Sequence, residues 1–255
     1  MLLTIDIGNT RTNLGLFHKD ELCASWAISS DLKKTSDEYG LMLTNFITSK
    51  KYNVADVEDV CICSVVPMMT VIMQEVGKDY FKCDPLVIAS GVKTGVKIRL
   101  DNPKEVGADR IANAVSSHAI YKTAVIAVDL GTATTFDVVN EEGDYLGGAI
   151  APGLDMAAES LASKTSLLPR VSFTDVPNAI GKSTVTAMQA GLLYGYIGLI
   201  EGITAKIKKE LGNSPCKVVA TGGYAELLSQ HTDIFDDINQ GLTLEGIRMI
   251  YAMNR

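Results

Sequence analysis

The amino-acid sequence predicts an α/β protein of two similar lobes, each a mixed sheet flanked by helices, with a cleft between them. Three observations carry that expectation. Short apolar segments of strand length alternate with longer segments of helical period along all 255 residues. The opening stretch, "LLTIDIGNTRTNLGLFHKDELCASWAI" from Leu2, returns in outline as "TAVIAVDLGTATTFDVVNEEGDYLGGAI" from Thr123, so that Asp129 lies 123 positions after Asp6. Each copy runs from a strand into Asp-x-Gly, small hydroxylated residues, a second strand, a charged turn and a third strand. Helix and buried strand then follow each copy.

The elements can be justified in order. "LLTIDI" and "TNLGLF" are strands around the turn Gly8-Asn9-Thr10, and "HKDE" turns the chain into a third strand, "LCASWAI". Ser36 is the expected N-cap of a helix "DEYGLMLTNFITS", ahead of a buried strand "DVCICSVV" closed by Pro67. A helix "MTVIMQEVGKDYF" and a strand "PLVIA" follow. Asn102-Pro103 reads as N-cap and first residue of a helix "KEVGADRIANAVSSHAIY". The meander then repeats from Ala124 with "NEEGD" as its turn. A helix is expected from about Gly153, an irregular stretch to Lys182, and a long helix capped by Ser183 or Thr184. "KVVATGG" is a buried strand and "LTLEGIRMIYAM" a closing amphipathic helix.

Composition narrows the function classes. Hydrophobic residues make up 47% and charged residues 21%, with only 7 prolines, so a core of ordinary size is available. A net charge of −7 argues against wrapping nucleic acid or an anionic membrane surface. The five cysteines are odd in number and show no Cys-x-x-Cys spacing; they read as buried free thiols in a reducing compartment. "MLLTIDIGNT" meets Asp6 before any signal-peptide core develops, so the cytoplasm is the expected location. "AMQAGLLYGYIGLIEGI" from Ala187 is short for a bilayer and interrupted by Gln189 and Glu201. Its glycines 191, 195, 198 and 202 would instead bare one helix face for a close helix–helix contact, expected between subunits. His18, His118 and His231 have no metal-ligand spacing. "GKST" from Gly181 is no P-loop, because Val176 stands where the first glycine is needed.

The duplicated turn carries the chemistry. A tight turn with glycine exposes several backbone N–H groups, small hydroxyls add donors, and together they suit phosphate oxygens. At each strand end a carboxylate, Asp6 or Asp129, can hold a cation beside those phosphates. Either copy alone is equally well a plain hairpin, whereas the pair suggests a grip on a polyphosphate from two sides. Thr221-Gly222-Gly223 at the end of a buried strand would let a flat ring or a ribose lie against backbone, although such a pair alone is more often a turn. The expected lobes are residues 1–117, with the first phosphate loop, and 118–255, with the second loop and the adenosine motif. The terminal helix is expected to pack back on the first lobe.

In "DIGNTRTN", "DNPKEVGADRI", "DLGTATTFD", "GGAIAPGL", "TGGYA" and "LTLEGI", in that order over nearly the whole chain, the sequence resembles the type III pantothenate kinases. They are a branch of the fold family of actin, hexokinase, Hsp70 and acetate kinase. Gly-Ala-Asp-Arg after Asn-Pro, between the two turns, separates this branch from the others. The resemblance implies two tandem ribonuclease H-like lobes of the actin-like ATPase fold with a nucleotide cleft between them. It also implies ATP-dependent phosphorylation of pantothenate to 4′-phosphopantothenate, the first step of coenzyme A synthesis, in a homodimer. By position, Asp6, Ile7, Gly8, Asn9, Thr10, Arg11, Thr12 and Asn13 would form the first phosphate loop, with Asp6 near magnesium. Thr132, Gly222 and Gly223 would also contact ATP. Asp129 would bind the monovalent cation, potassium or ammonium. Leu100, Gly107, Ala108, Asp109 and Arg110 would line the pantothenate site, Asp109 as the catalytic base, and Thr184 would reach pantothenate at the dimer interface.

The chemistry stands independently: phosphoryl transfer needs positioning and charge neutralisation, and a base need only take the hydroxyl proton. Arg110 could pair with the pantothenate carboxylate, while without the resemblance Asp109-Arg110 would read as a surface ion pair. Leu100 stands where many relatives have Tyr, which leaves an apolar contact but no phenol. Two other functions compete. Another small-molecule kinase of the superfamily should lack the Gly-Ala-Asp-Arg segment. A non-catalytic transcriptional regulator should show a basic face or a missing Asp, yet Asp6, Asp109 and Asp129 are all present.

Overall fold

A strand covered on both faces needs a nearly continuous apolar run, and the first segment supplies one. In the computed structural model, which describes residues 1–173, 176, 178–212 and 214–255, β1 (Leu2–Ile7) is buried along its length except at Asp6. The irregular stretch before Lys182 contains residues 174, 175 and 177, which lie outside the described residues, as does Pro177 beside the "GKST" segment. β1 pairs antiparallel with β2 (Arg11–His18), which pairs with β3 (Glu21–Ser29), and parallel with β4 (Asp59–Ser64), which pairs with β5 (Leu86–Val87). The sheet order is β3-β2-β1-β4-β5.

The second sheet repeats this plan. β6 (Ala124–Leu130), β7 (Ala133–Val139) and β8 (Tyr145–Pro152) form the meander. β9 (Cys216–Thr221) and β10 (Asp237–Ile238) add in parallel on the other side of β6, so β8-β7-β6-β9-β10 reproduces the first order. The repeat in sequence is therefore a repeat in topology. Two compact units contain the sheets: residues 1–97, 101–116 and 241–255 in unit 1, and 98–100 and 117–240 in unit 2.

Alternation along β1 decides what meets what in unit 1. Leu3, Ile5 and Ile7 face α1 (Ser36–Ser49) and α2 (Pro67–Tyr80), burying Tyr39, Leu43, Ile47, Met69 and Met73. Leu2 faces the other way, into a cluster with Ala112 and Val115 of α3 (Ala108–Tyr121) and Leu244, Ile247 and Ile250 of α7 (Leu242–Ala252). Asp6 has the parity of Leu2 and so belongs to the α3 side. α7 lies close enough to α3 that a Cβ on Gly246 would stand 2.0 Å from the Ala112 carbonyl oxygen. In unit 2, Ile126, Val128, Phe136 and Val218 pack against α4 (Leu154–Ser163), α5 (Thr184–Glu210) and α6 (Ala225–Ser229).

Three local expectations need correction. Thr35, not Ser36, caps α1, because its hydroxyl accepts from Glu38 N while Glu38 Oε2 accepts from Thr35 N at 2.8 Å. Asn102 and Pro103 open only a 3-10 turn over residues 103–105; Val106 is extended, and the α-helix starts at Ala108. That restart puts Asp109 in a first turn, where exposed N–H groups favour a carboxylate. Of the cysteines, Cys61 and Cys63 are buried while Cys23, Cys83 and Cys216 are half-buried, all as free thiols. Trp26 is half-buried and stacks on Phe46 with centroids 6.0 Å apart. Among the described residues no helix is long and apolar enough to cross a membrane.

Candidate active site

In unit 1 the β1–β2 turn is closed by Gly8 N donating to the Arg11 carbonyl at 2.9 Å. Ser30, just past β3, pins it from the side: its hydroxyl donates to the Gly8 carbonyl at 2.7 Å and shares a hydrogen bond with Thr12 Oγ1 at 2.9 Å. Ser30 N donates to the Thr10 carbonyl. Ile7 and Thr12 are buried, so their side chains shape the turn, while Asn9, Thr10 and Arg11 are exposed. Such a turn can present backbone N–H groups to an anion without itself reorganising.

Asp6, one residue before the end of β1, lies opposite Asn13 on β2 and Cys63 on β4. Asn13 Nδ2 donates to Asp6 Oδ2 at 3.1 Å. Burial pushes the Asp6 carboxyl up to about 7; the Asn13 amide opposes this and the nearby Asp109 charge adds to it. Asp109 and Asp6 therefore sit in one electrostatic neighbourhood. Burial, with the charges of Asp6 and Asp109, also holds the Cys63 thiol well above its usual range, so it is an inert floor rather than a nucleophile. Asp109 Oδ1 accepts from Arg110 N at 2.8 Å. It can occupy that place because Gly107 has no Cβ, which would lie 2.4 Å from it. The side chain of Val65 reaches the same neighbourhood, 3.7 Å from that position.

Unit 2 builds the second turn at the corresponding place. Gly131 N donates to the Ala133 carbonyl at 3.1 Å, and Gly153 N to the Thr132 carbonyl at 3.1 Å, so "APGL" buttresses the turn while Thr132 stays exposed. Asp129 faces Thr135 on β7 and Thr221 on β9. Gly222, with φ of +90°, leaves the strand in a conformation that side chains resist. A Cβ there would stand 2.7 Å from Asp129 Oδ1. That cradle brings Asp129, Gly131 and Gly222 together, with Gly223 exposed beside them.

The remaining candidates lie elsewhere in the fold. Leu100 packs on Gly147 of β8, its Cδ2 within 2.8 Å of where a Cβ would be, alongside the Arg99–Asp144 ion pair at 2.6 Å. Thr184 opens α5 and lines an open hollow of about 600 Å3 with Leu161, Leu168, Met188 and Leu192. Ser183 caps α5 in a capping box with Thr186, and Gly181 packs on that first turn, so "GKST" is a helix entrance. Glycines 191, 195, 198 and 202 have nothing within 4 Å of an added Cβ and form an exposed strip along α5. Sequence reasoning missed Ser30, Cys63, Val65 and the trio Thr135, Asp137 and Tyr145. Only the trio had a visible signal, the mismatch between the two copies at Gly15 and Asp137.

The family model for type III pantothenate kinase matches residues 2–206. A type III pantothenate kinase of Dehalococcoides mccartyi is 47% identical over 254 residues, covering 100% of this chain and 96% of the relative. Two solved structures share the fold. A conserved protein from Campylobacter jejuni assigned to the Baf family of transcriptional activators has a TM-score of 0.57 at 19% identity, over 99% of this chain and 98% of that one. An inorganic polyphosphate/ATP-glucomannokinase from Arthrobacter has a TM-score of 0.53 at 11% identity, over 100% and 99%. The fold is thus shared with these two structures, and with paired Asp-x-Gly turns, the Gly-Ala-Asp-Arg helix start and full-length identity of this order, the chain belongs to the type III pantothenate kinase family.

Proposed function

We propose that the chain transfers the terminal phosphoryl group of ATP to the 4′-hydroxyl of pantothenate, the entry to coenzyme A synthesis, in the cytoplasm. The observation that carries the reading is the end-to-end match to type III pantothenate kinases, supported by an Asp109 charge near enough to help raise the Asp6 carboxyl. One carboxylate stands at a phosphate-type turn and another in the first turn of α3 within the same unit, which suits a metal-holding residue and a base.

In this reading Asp109 takes the substrate hydroxyl proton as the oxygen bonds to phosphorus and ADP leaves. Arg110 pairs with the pantothenate carboxylate, and Gly107, Ala108 and Leu100 supply backbone and apolar contacts. The backbone from Asp6 to Asn13 and the Thr132 turn hold phosphate oxygens, and Gly222 and Gly223 lie against the adenosine. Asp6 fits magnesium, a hard cation that is commonly held through one carboxylate and water. Bound there, magnesium supplies charge neutralisation at the phosphates. Asp129, with backbone cradled against one oxygen, fits a monovalent cation, potassium or ammonium. A homodimer is the assembly we infer, since the bare glycine strip is exposed along α5 and its first member, Gly191, lines one hollow with the exposed apolar Leu161 and with Thr184. No nucleic acid or membrane partner is required.

ADP release from purified protein tests the base. With ATP, magnesium, pantothenate and potassium, Asp109→Asn should lower kcat by about 10²- to 10⁴-fold with its unfolding temperature preserved. An Asp109→Asn enzyme within threefold of wild type contradicts the assignment of the base.

A further inference from the structure

Strand β7 differs from its counterpart β2 in a way that bears on the cation. Across the first hairpin the residue facing Asp6 is Asn13, which donates a hydrogen bond to it at 3.1 Å. Across the second, the residue facing Asp129 is Thr135. Its hydroxyl instead runs along its own strand, donating to Asp137 Oδ2 at 3.0 Å. Asp137 is fully buried, and its other oxygen accepts from Tyr145 Oη at 2.8 Å. The matching position on β2, two residues beyond Asn13, is Gly15. The second copy thus keeps a buried carboxylate where the first has no side chain, a placement that is costly unless hydrogen-bonded.

A threonine hydroxyl has one proton and two lone pairs. With the proton committed to Asp137, the oxygen offers only lone pairs to the sheet face that Thr135 shares with Asp129. Such an oxygen repels phosphate oxygens and suits a cation. We propose that Thr135 Oγ1 is a ligand of the monovalent cation assigned to Asp129, and that Asp137, held by Tyr145, is the positioning residue that fixes the polarity of that hydroxyl. The inference rests on the reading of Asp129 as the cation-holding residue. It extends that site from one carboxylate at a strand end to an oxygen pair facing each other across a hairpin.

Potassium binding can be read without turnover, as the rise in unfolding temperature on adding potassium chloride to protein with ADP and magnesium. Choline chloride at equal ionic strength is the reference. Wild type and Thr135→Ser should show a potassium-specific rise. In Thr135→Val and Asp137→Leu the rise should vanish, or its half-saturation should move up about tenfold, as for lost outer-shell partners of other metal ligands. Thr135→Val with the wild-type half-saturation overturns the proposal. So does a wild type without a potassium-specific rise, or loss in Thr135→Ser as well as Thr135→Val. If Asp137→Leu fails to fold, the half-buried Thr135 pair decides. A wrong acceptor would leave the potassium effect intact and show only as absence of turnover with pantothenate, so the two failures are distinguishable.

Discussion

Replacing Asp6 with asparagine should make the apo protein more stable while destroying its activity. In the folded protein burial, with the Asp109 charge, raises the Asp6 carboxyl from 3.8 to about 7. Between those two values the folded state keeps a proton that the unfolded chain has lost. Its contribution to stability is therefore fully present below about pH 4 and lost as pH rises through about 7. The interval corresponds to a ceiling of about 4 kcal/mol at 1.36 kcal/mol per tenfold change in proton affinity. Asparagine removes the charge yet keeps an oxygen to accept from Asn13 Nδ2. The variant should gain about 2–4 kcal/mol over wild type above pH 7 and almost nothing near pH 4. At about 2–4 °C per kcal/mol for a chain of this size, the gain is visible in thermal unfolding at a series of pH values without nucleotide or magnesium. A difference between variant and wild type that does not change from pH 4 to 8, or a variant less stable at pH 8, refutes the reasoning.

Two other substitutions probe packing and assembly. Gly195→Leu places a large side chain where nothing in the chain lies within 4 Å. It should leave the monomer fold intact, with helix propensity improved by about 0.5–1 kcal/mol, yet convert the proposed dimer to monomer in light scattering after size exclusion; a stable dimer in the variant contradicts the proposed interface. Gly246→Ala would force the Ala112 carbonyl aside from 2.0 Å and should cost about 1–3 kcal/mol, read as a lower urea midpoint with unchanged slope. An unchanged midpoint would mean that the α3–α7 approach is looser than described.

What could be read in advance was what is encoded locally. Both Asp-x-Gly turns were legible because strand, turn and strand are contiguous, and repetition lifted them above an ordinary hairpin. The start of α3 was misjudged because Asn102 and Pro103 do cap a turn, but the extended Val106 ends it before the helix begins. Ser30 was invisible because it lies 22 positions from Gly8 and meets it only through the β2–β3 register. The burial of Asp137 depends on neighbouring strands. Setting Gly15 beside Asp137 in the two copies is the one comparison that would have exposed it.

The central claim, phosphoryl transfer from ATP to pantothenate, is tested most directly by identifying the product. Purified protein is incubated with ATP, magnesium, potassium and pantothenate, and the mixture is followed by phosphorus NMR and mass spectrometry. The account predicts a new phosphomonoester on pantothenate formed in equal amount to ADP, and at a rate lower by at least about 10²-fold with Asp109→Asn. ADP formed with free phosphate and no phosphorylated pantothenate, or no ADP at all with a folded protein, would contradict it.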